Sequence, residues 1–530
     1  MSNMLGARRL RHHTRALDAA MRRARTYPHP AGRIRRIETH ISVVYLAGRF
    51  AYKIKKPVDL GFLHLTSLAA RRRACEDECR LNRRLAPGVY LGVASIVQRG
   101  RCYQIGKARH VFEYAVTMRR FDEGRVLATL LESGALDARI IERTAERVAC
   151  FHRAARRVPP DRRFGSGALV AEQLHTVLNE LAREMPGAPG SDLIAWCDAS
   201  LRNLSAHFDA RRLQGFVREC HGDLHLQNIV LKGTRPVIFD CIEFHAALRW
   251  IDVVSDLAFL VMDLQSHDCD ALATRALNAW LAETGDYAGL SALRLFTVYR
   301  ALVRALVEML KQHPVDAARY LRVATRTACE PSPCLLLCHG FSGSGKSLAS
   351  ESLAPLIGAV RMASDIERKR TRPFCAPDTG KLAAGAYTPA AIGMQYERLL
   401  DSARNVLESG LTVIVDATFL KYAHRERFIR LASELNVPAL ILEFQAPDAI
   451  VQARVEARSR RTDQPSDADA SVLFVQRRHA DPLTVDERRM TETIRTDVDP
   501  RLFGERSYWH ALLSRLHTLC ADCARRCERS

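Results

Sequence analysis

The sequence predicts two domains in series, an N-terminal α+β domain and a C-terminal α/β domain built on a parallel sheet. Three observations carry this. A chain of 530 residues is too long for one core of ordinary size. The hydrophobic pattern runs from short β-rich stretches into long helices, and past residue 333 it switches to alternating strands and helices. Between the two regimes lies TACEPSP, residues 327–333, whose two prolines and small polar residues read as a linker. The expected domains are 1–328 and 332–530.

Composition narrows the function classes. Hydrophobic residues make up 47% and charged residues 26%, as in a soluble globular protein. No apolar run approaches the roughly 20 residues of a membrane helix, so a cytoplasmic protein without a membrane partner is expected. The N-terminus MSNMLGARRLRHHTRALDAAMRRART lacks an apolar core and is no secretory signal; a basic first helix is favoured over an Arg-rich transit peptide. The net charge of +20 suits nucleic acid, an anionic surface or anionic substrates such as ATP. It is spread along the chain without interleaved aromatics, so nucleic-acid binding is not implied. Fifteen cysteines without a paired framework point to reduced thiols. His517, Cys520, Cys523 and Cys527 have zinc-like spacing but no second knuckle, and packing on a C-terminal helix is the favoured reading.

The elements follow in order. Residues 39–56 alternate and turn at Ala47-Gly48, a β-hairpin. Residues 67–86 read as a helix stopped by Pro87-Gly88, and 109–119 as a strand. Helical pattern fills 136–213, short strands return at 216–220, 229–232 and 236–240, and long helices fill 250–327. Beyond the linker, PCLLLCHG is a buried strand, followed by strands near 411–416 and 438–444 among helices.

The first chemical signal is His221-Gly222-Asp223-Leu224-His225-Leu226-Gln227-Asn228, between two short strands and followed by Val237-Ile238-Phe239-Asp240. Phosphoryl transfer needs a carboxylate to take the acceptor's proton and oxygen ligands for magnesium. Asp223 is the expected base, with Asn228 and Asp240 as metal ligands. His225 braces the loop, and Asp256 is read as structural. A lysine on a strand must hold ATP phosphates and pair with a helix glutamate. Lys53 is the expected residue, Lys55 its competitor, and Glu78 is preferred over Glu76 because Leu81 and Leu85 follow it on one helical face. The loop resembles that of the aminoglycoside phosphotransferase and choline kinase group, which implies a protein-kinase-like α+β fold. The sequence departs from that pattern in lacking a G-x-G-x-x-G loop before Lys53; PHPAG and AGR are the only candidates. The adenine hinge is expected near Met118 to Phe121.

The second signal is Gly340-Phe341-Ser342-Gly343-Ser344-Gly345-Lys346-Ser347, a G-x-x-x-x-G-K-S loop between a buried strand and a helix. Its glycines let backbone N–H groups cradle phosphates, Lys346 reaches the β- and γ-phosphates, and Ser347 binds magnesium. Asp365 follows the expected second strand as an acceptor-side base, with Arg368 one turn on for an anion. Asp416 ends a strand as a metal holder. Arg454, Arg458 and Arg461 recur at helical spacing and can offset phosphoryl charge; a solvated helix face is the alternative. This arrangement resembles polynucleotide 5′-kinases and, more loosely, gluconate and shikimate kinases, so the C-terminal fold is expected to be a P-loop NTPase.

With IETHIS, AYKIKKPVDLGF and CEDECRLNRRLAPGVYLGV added, the whole chain resembles bacterial fusions of an aminoglycoside phosphotransferase-like domain with a P-loop ATP-binding domain. The resemblance implies ATP and Mg²⁺ as cofactors and a small-molecule hydroxyl as the N-terminal acceptor. Three readings stay open: two kinases, a C-terminal nucleic-acid 5′-hydroxyl kinase, or an ATP-binding switch in one domain. Neither acceptor nor the oligomeric state follows from the residues.

Overall fold

The computed structural model describes residues 15–39, 41–59, 64–100, 102–370, 389–459 and 470–527. The chain forms two compact units. The first holds Met1–Ile140, Ala154–Gly165 and Val217–Asp252; the second holds Ile141–Arg153, Ser166–Phe216 and Val253–Ser530.

The first unit is built on a six-stranded sheet of β1 (Arg35–Glu38), β2 (Ser42–Ala47), β3 (Phe50–Lys55), β4 (Tyr90–Arg99), β5 (Cys102–Ile105) and β6 (Glu113–Arg119), in the order β1-β2-β3-β6-β4-β5. Its pairings are all antiparallel. The expected hairpin is β2–β3, with Ala47 facing Phe50 across Gly48-Arg49. Helix α1 (Leu68–Asn82) starts where the Ser67 hydroxyl accepts from the Ala70 N–H at 3.1 Å. It ends four residues before the expected stop. The short helix α2 (Leu127–Glu132) follows. Two small ladders complete the unit: β7 (Val217–Glu219) with β10 (Trp250–Asp252), and the hairpin β8 (Ile229–Lys232) with β9 (Arg235–Ile238).

The second unit carries the helices and the parallel sheet. Residues 136–213 resolve into α3 (Ala138–Ala154), α4 (Gly167–Glu184) and α5 (Ser191–Gln214). Then come α6 (Val253–Ser266), α7 (Asp270–Thr284), a 3₁₀ helix (Tyr287–Ala292), α8 (Leu293–Leu310) and α9 (Pro314–Ala328). Helix α6 is apolar nearly all round and is correspondingly buried on all sides. Residues 330–334 have no regular secondary structure.

The sheet that follows contains β11 (Leu335–His339), β12 (Val360–Ala363), β13 (Val413–Asp416), β14 (Ala439–Gln445) and β15 (Thr491–Arg495), in the order β12-β13-β11-β14-β15. Every pairing is parallel. Its central strands are unbroken apolar runs because helices cover both faces. The helices of this region are α10 (Lys346–Ile357), α11 (Ser364–Lys369), α12 (Pro389–Glu408), α13 (Tyr422–Glu434), α14 (Asp448–Ser459), α15 (Ala470–His479), α16 (Val485–Arg489) and α17 (His510–Cys527). The four-residue β1 and the polar β15, TETIR, escape a hydrophobic-pattern search. His517 is exposed on α17; the side chains of Cys520, Cys523 and Cys527 lie outside the described residues. Among the described residues no helix is long and apolar enough to cross a membrane.

A buried ion pair organises the helical layer. Arg211 of α5 meets Asp286 through two parallel bonds of 2.9 and 2.8 Å. Asp286 also accepts from Gly289 N–H at 3.1 Å and so caps the 3₁₀ helix that begins at Tyr287. Arg211→Met is expected to strand the buried carboxylate and cost about 3–5 kcal/mol. A urea unfolding midpoint equal to wild type would contradict it.

Candidate active sites

In the first unit, β3 lies between β2 and β6, which excludes an exposed edge strand for its lysines. Lys53 and Lys55 are two residues apart, so both project to the same face. Lys53 Nζ lies 2.9 Å from Glu78 Oε1 and 2.6 Å from Asp240 Oδ1. Lys55 Nζ lies 2.6 Å from Glu78 Oε2 and also pairs with Glu243. Glu78 thus serves both lysines. Glu76 instead pairs with Arg72 on the surface at 2.8 Å. Burial opposes ionisation of Glu78, yet Lys53 and Lys55 prevail and hold its carboxyl well below the usual range, at about 2. Lys53 stays charged above its ordinary range because Asp240 and Glu78 outweigh its burial.

The β8–β9 hairpin explains the metal-ligand spacing. Ile229 pairs with Ile238, and Phe239 N–H donates to Asn228 O at 2.9 Å. Asn228 and Asp240 therefore emerge at the same end of the hairpin. Asn228 Nδ2 donates to Asp223 O at 3.0 Å and to Asp223 Oδ2 at 2.9 Å. His225 Nε2 donates to the same carboxylate at 3.2 Å. His221 Nε2 donates to Phe239 O at 2.9 Å, tying the loop of residues 221–228 to the hairpin. Asp240 has φ 64°; its N–H donates to the Tyr90 hydroxyl at 3.2 Å. The unit thus brings Lys53, Glu78, Asp223, Asn228 and Asp240 onto adjoining elements.

The neighbourhood of the expected phosphate-covering loop differs from the sequence candidates. PHPAG precedes β1, where His29 Nε2 meets the Tyr52 hydroxyl at 3.0 Å. AGR is the β2–β3 turn. The β1–β2 connection is residues 39–41, which contain no glycine. At the expected hinge, β6 ends at Arg119 and Phe121 packs on Phe239 with ring centroids 4.8 Å apart. Asp256, in the second unit, is buried against His152 Nε2 at 3.0 Å, and His152 Nδ1 accepts from Trp280 Nε1 at 3.1 Å. That is a packed structural network.

The second site surrounds the loop between β11 and α10. Gly343 and Gly345 both have φ of 85°. A Cβ at Gly343 would meet Val451 O at 2.8 Å, and one at Gly345 would meet Thr496 Cβ at 2.9 Å. Lys346 Nζ donates to Gly340 O at 2.9 Å and Phe341 O at 2.7 Å. Ser344 O accepts from Thr496 Oγ1 at 2.7 Å, and Thr496 O accepts from Arg454 at 2.6 Å. Ser342 exchanges two bonds with Gln476, 2.9 Å from its N–H and 3.0 Å at its hydroxyl.

A cavity of about 700 Å³ joins these groups to the expected acceptor-side residues Asp365 and Arg368. Gly343, Gly345, Lys346 and Ser347 line it together with Asp365, Arg368, Asp416 and Arg454. Arg368 pairs with Asp365 at 2.9 Å one turn along α11. Asp416, at the end of β13, pairs with Arg361 of β12 at 2.6 Å. Burial works against the Arg361 charge, and Asp416 more than offsets it, raising the guanidinium's pKa. The side chain of Arg458 and the whole of Arg461 lie outside the described residues. Sequence reasoning missed Arg361, Gln476 and Thr496; an arginine inside the buried VRMA strand was the one local clue.

Both sites fit a hard divalent cation by their donors. Asn228 spends its amide nitrogen on Asp223 and keeps a carbonyl oxygen, beside the Asp240 carboxylate; Ser347 and Asp416 supply hydroxyl and carboxylate. A bound magnesium ion would neutralise phosphate charge there.

Two family profiles match the chain, one after the other along its length. The APH phosphotransferase enzyme family profile matches residues 64–296, and an AAA domain profile matches residues 335–483. The uncharacterized proteins Rv2004c of Mycobacterium tuberculosis and Mb2027c of Mycobacterium bovis are each 33% identical over 448 residues, covering 82% of this chain and 88% of the relative. The chain belongs to their family. The chain carries an APH-type phosphotransferase domain followed by an AAA-type P-loop domain. Among solved structures, a choline/ethanolamine kinase family protein from Mesorhizobium loti is 12% identical, with TM-score 0.37, covering 59% of this chain and 93% of that one. A gluconokinase from Sinorhizobium meliloti is 16% identical, with TM-score 0.26, covering 37% of this chain and 98% of that one.

Glu78→Gln tests the lysine cluster. With Glu78 depressed from 4.5 when folded, its stabilisation is complete above about pH 4.5 and is lost as the pH falls towards 2. The variant should lose about 3 kcal/mol at neutral pH. The gap in melting temperature from wild type should narrow in acid. A pH-independent gap would contradict the assignment.

Proposed function

We propose that the chain is an ATP-dependent phosphotransferase with two nucleotide sites, divided between residues 1–328 and 332–530. In the N-terminal site Asp223 takes the proton of a small-molecule hydroxyl, and Lys53, fixed by Glu78, holds ATP phosphates. The hydrogen bonds from Asn228 and His225 aim the Asp223 carboxylate.

In the C-terminal site the phosphate loop and the Asp365–Arg368 pair share one cavity, and that observation carries the kinase reading. A motor or switch ATPase needs no carboxylate and guanidinium placed for a second substrate. Asp365 takes the acceptor's proton and Arg368 binds an anionic group on it. Lys421 also lines the cavity and adds to its preference for an anionic small molecule. Arg454, held by Thr496 beside the loop, meets charge on the transferring group.

Radiolabelled ATP, full-length protein and a metabolite and oligonucleotide panel test both sites at once. Asp223→Asn should lower transfer to the N-terminal acceptor about 10²-fold or more while leaving C-terminal transfer intact. Lys346→Ala should do the reverse. Asp365→Ala should abolish C-terminal transfer yet keep nucleotide binding, because base and phosphate cradle are separate parts. If Asp365→Ala loses nucleotide affinity as severely as Lys346→Ala, Asp365 belongs to the phosphate side. Labelled oligonucleotide 5′-ends would replace the small-molecule acceptor with nucleic acid.

A further inference from the structure

Helix α11 has two working faces. Asp365 and Arg368 line the cavity. Glu367 and Arg370 turn towards the helical layer of the same unit. The Tyr287 hydroxyl donates to Glu367 Oε1 at 2.7 Å, and Arg370 pairs with Glu367 Oε2. Arg370 also donates to Leu281 O at 3.0 Å and to Ala282 O, carbonyls in the last turn of α7. The Leu281 carbonyl already accepts from Gly285 N–H at 2.8 Å, and the negative end of the helix favours a guanidinium beside it. The contact is close: a Cβ on Gly285, just past α7, would lie 2.5 Å from Arg370 Nη1.

The same corner holds the strand that leads into α11. Asn278 of α7 donates to Ala359 O at 2.9 Å and accepts from Arg361 N–H at 2.7 Å. It thereby pairs backbone groups on the outer edge of β12, the edge strand of the sheet. The 3₁₀ helix of Tyr287 packs on α12. Gln395 of α12 lines the cavity and donates to Ser364 O at 2.5 Å. Tyr287 is itself fixed, because Asp286, locked by Arg211, caps the 3₁₀ helix.

We propose that Tyr287 is a positioning residue for the acceptor side of the P-loop site, holding α11 through Glu367 so that Asp365 and Arg368 face the cavity. This rests on the kinase reading of that site. Its consequence is that part of the C-terminal acceptor machinery is aligned by the helical layer of residues preceding the linker. Burial and the Glu367 carboxylate push the Tyr287 phenol well above its ordinary value, so it remains a donor at neutral pH.

The test uses the full-length chain carrying Asp223→Asn, so that remaining ATP turnover reports the P-loop site. Tyr287→Phe removes one hydroxyl and keeps the ring. It should lower kcat about tenfold while KM for ATP stays within about twofold. Glu367→Gln should give a similar loss, and the double variant should be no worse than either single one. Amide hydrogen exchange across 364–370 should quicken about tenfold in Tyr287→Phe, with 340–347 unchanged. Wild-type kcat, fully additive losses, or unchanged exchange across 364–370 would overturn the proposal. If the parent protein shows no turnover, the phosphotransfer reading fails, and the exchange measurement alone decides whether Tyr287 holds α11.

Discussion

The first site depends on a carboxylate that is charged where water cannot reach it. Glu78 is fully buried, and an ionised carboxylate there is tolerable only because Lys53 and Lys55 approach its two oxygens from one strand. A strand places residues i and i+2 on one face, which is why a single helix glutamate can be shared. The arrangement is asymmetric: Glu243 pairs with Lys55, yet burial drives its pKa up while that of Glu78 is driven down. Lys53 is left to span Glu78 and Asp240, linking the sheet to the hairpin that carries the metal-ligand candidates. Each lysine needs a compact ammonium with several donors in a small space, a demand that a planar guanidinium meets poorly.

What was legible in the sequence was local. The spacing of Asp223, Asn228 and Asp240 reflects a loop followed by a hairpin, and the phosphate loop reflects a strand followed by a helix. Glu78 could be chosen over Glu76 because its helical face carries Leu81 and Leu85, and the structure puts Glu76 on the surface. The unanticipated parts are non-local or polar. Thr496 supports Ser344 across 152 positions, and Gln476 reaches Ser342 across 134. Arg361 looks like a misplaced charge until β13 sets Asp416 beside it. Strand β15 has no apolar run because it lies at a sheet edge. Strand β4 mixes Gly92, Ala94 and Ser95 with its apolar residues, which blurs the alternation.

Asn278 of α7, bonded to the backbone beside β12, bears on why the P-loop sheet adjoins the helices before it. An edge strand presents backbone donors and acceptors on one side, and leaving them uncovered invites pairing with another strand. Asn278 supplies both complementary groups from one amide. Arg370 gives the reverse support, meeting carbonyls at the end of α7. Bonds to backbone groups therefore run in both directions between the helical layer and the sheet.

The two sites also meet one geometric difficulty in the same way. Each follows a strand leading to a candidate metal ligand with a non-glycine residue in the left-handed region: Asp240 at φ 64° after β9, and Phe419 at φ 47° after β13. Such a residue costs roughly 1–2 kcal/mol and cannot continue the ladder, so its N–H needs another acceptor. In the first unit that acceptor is the Tyr90 hydroxyl at 3.2 Å; in the second it is the Tyr396 hydroxyl at 3.1 Å. A phenol suits the task because it reaches from a neighbouring element and accepts a bond without bringing a charge into a site that must bind polyanions. The backbone reversal then persists because its surroundings over-determine it: Asn82 bonds the next N–H after Asp240, and Arg425 bonds the Phe419 carbonyl. Strain held this way turns the chain at Asp240 itself and three residues beyond Asp416, just past the strand ends that carry these carboxylates.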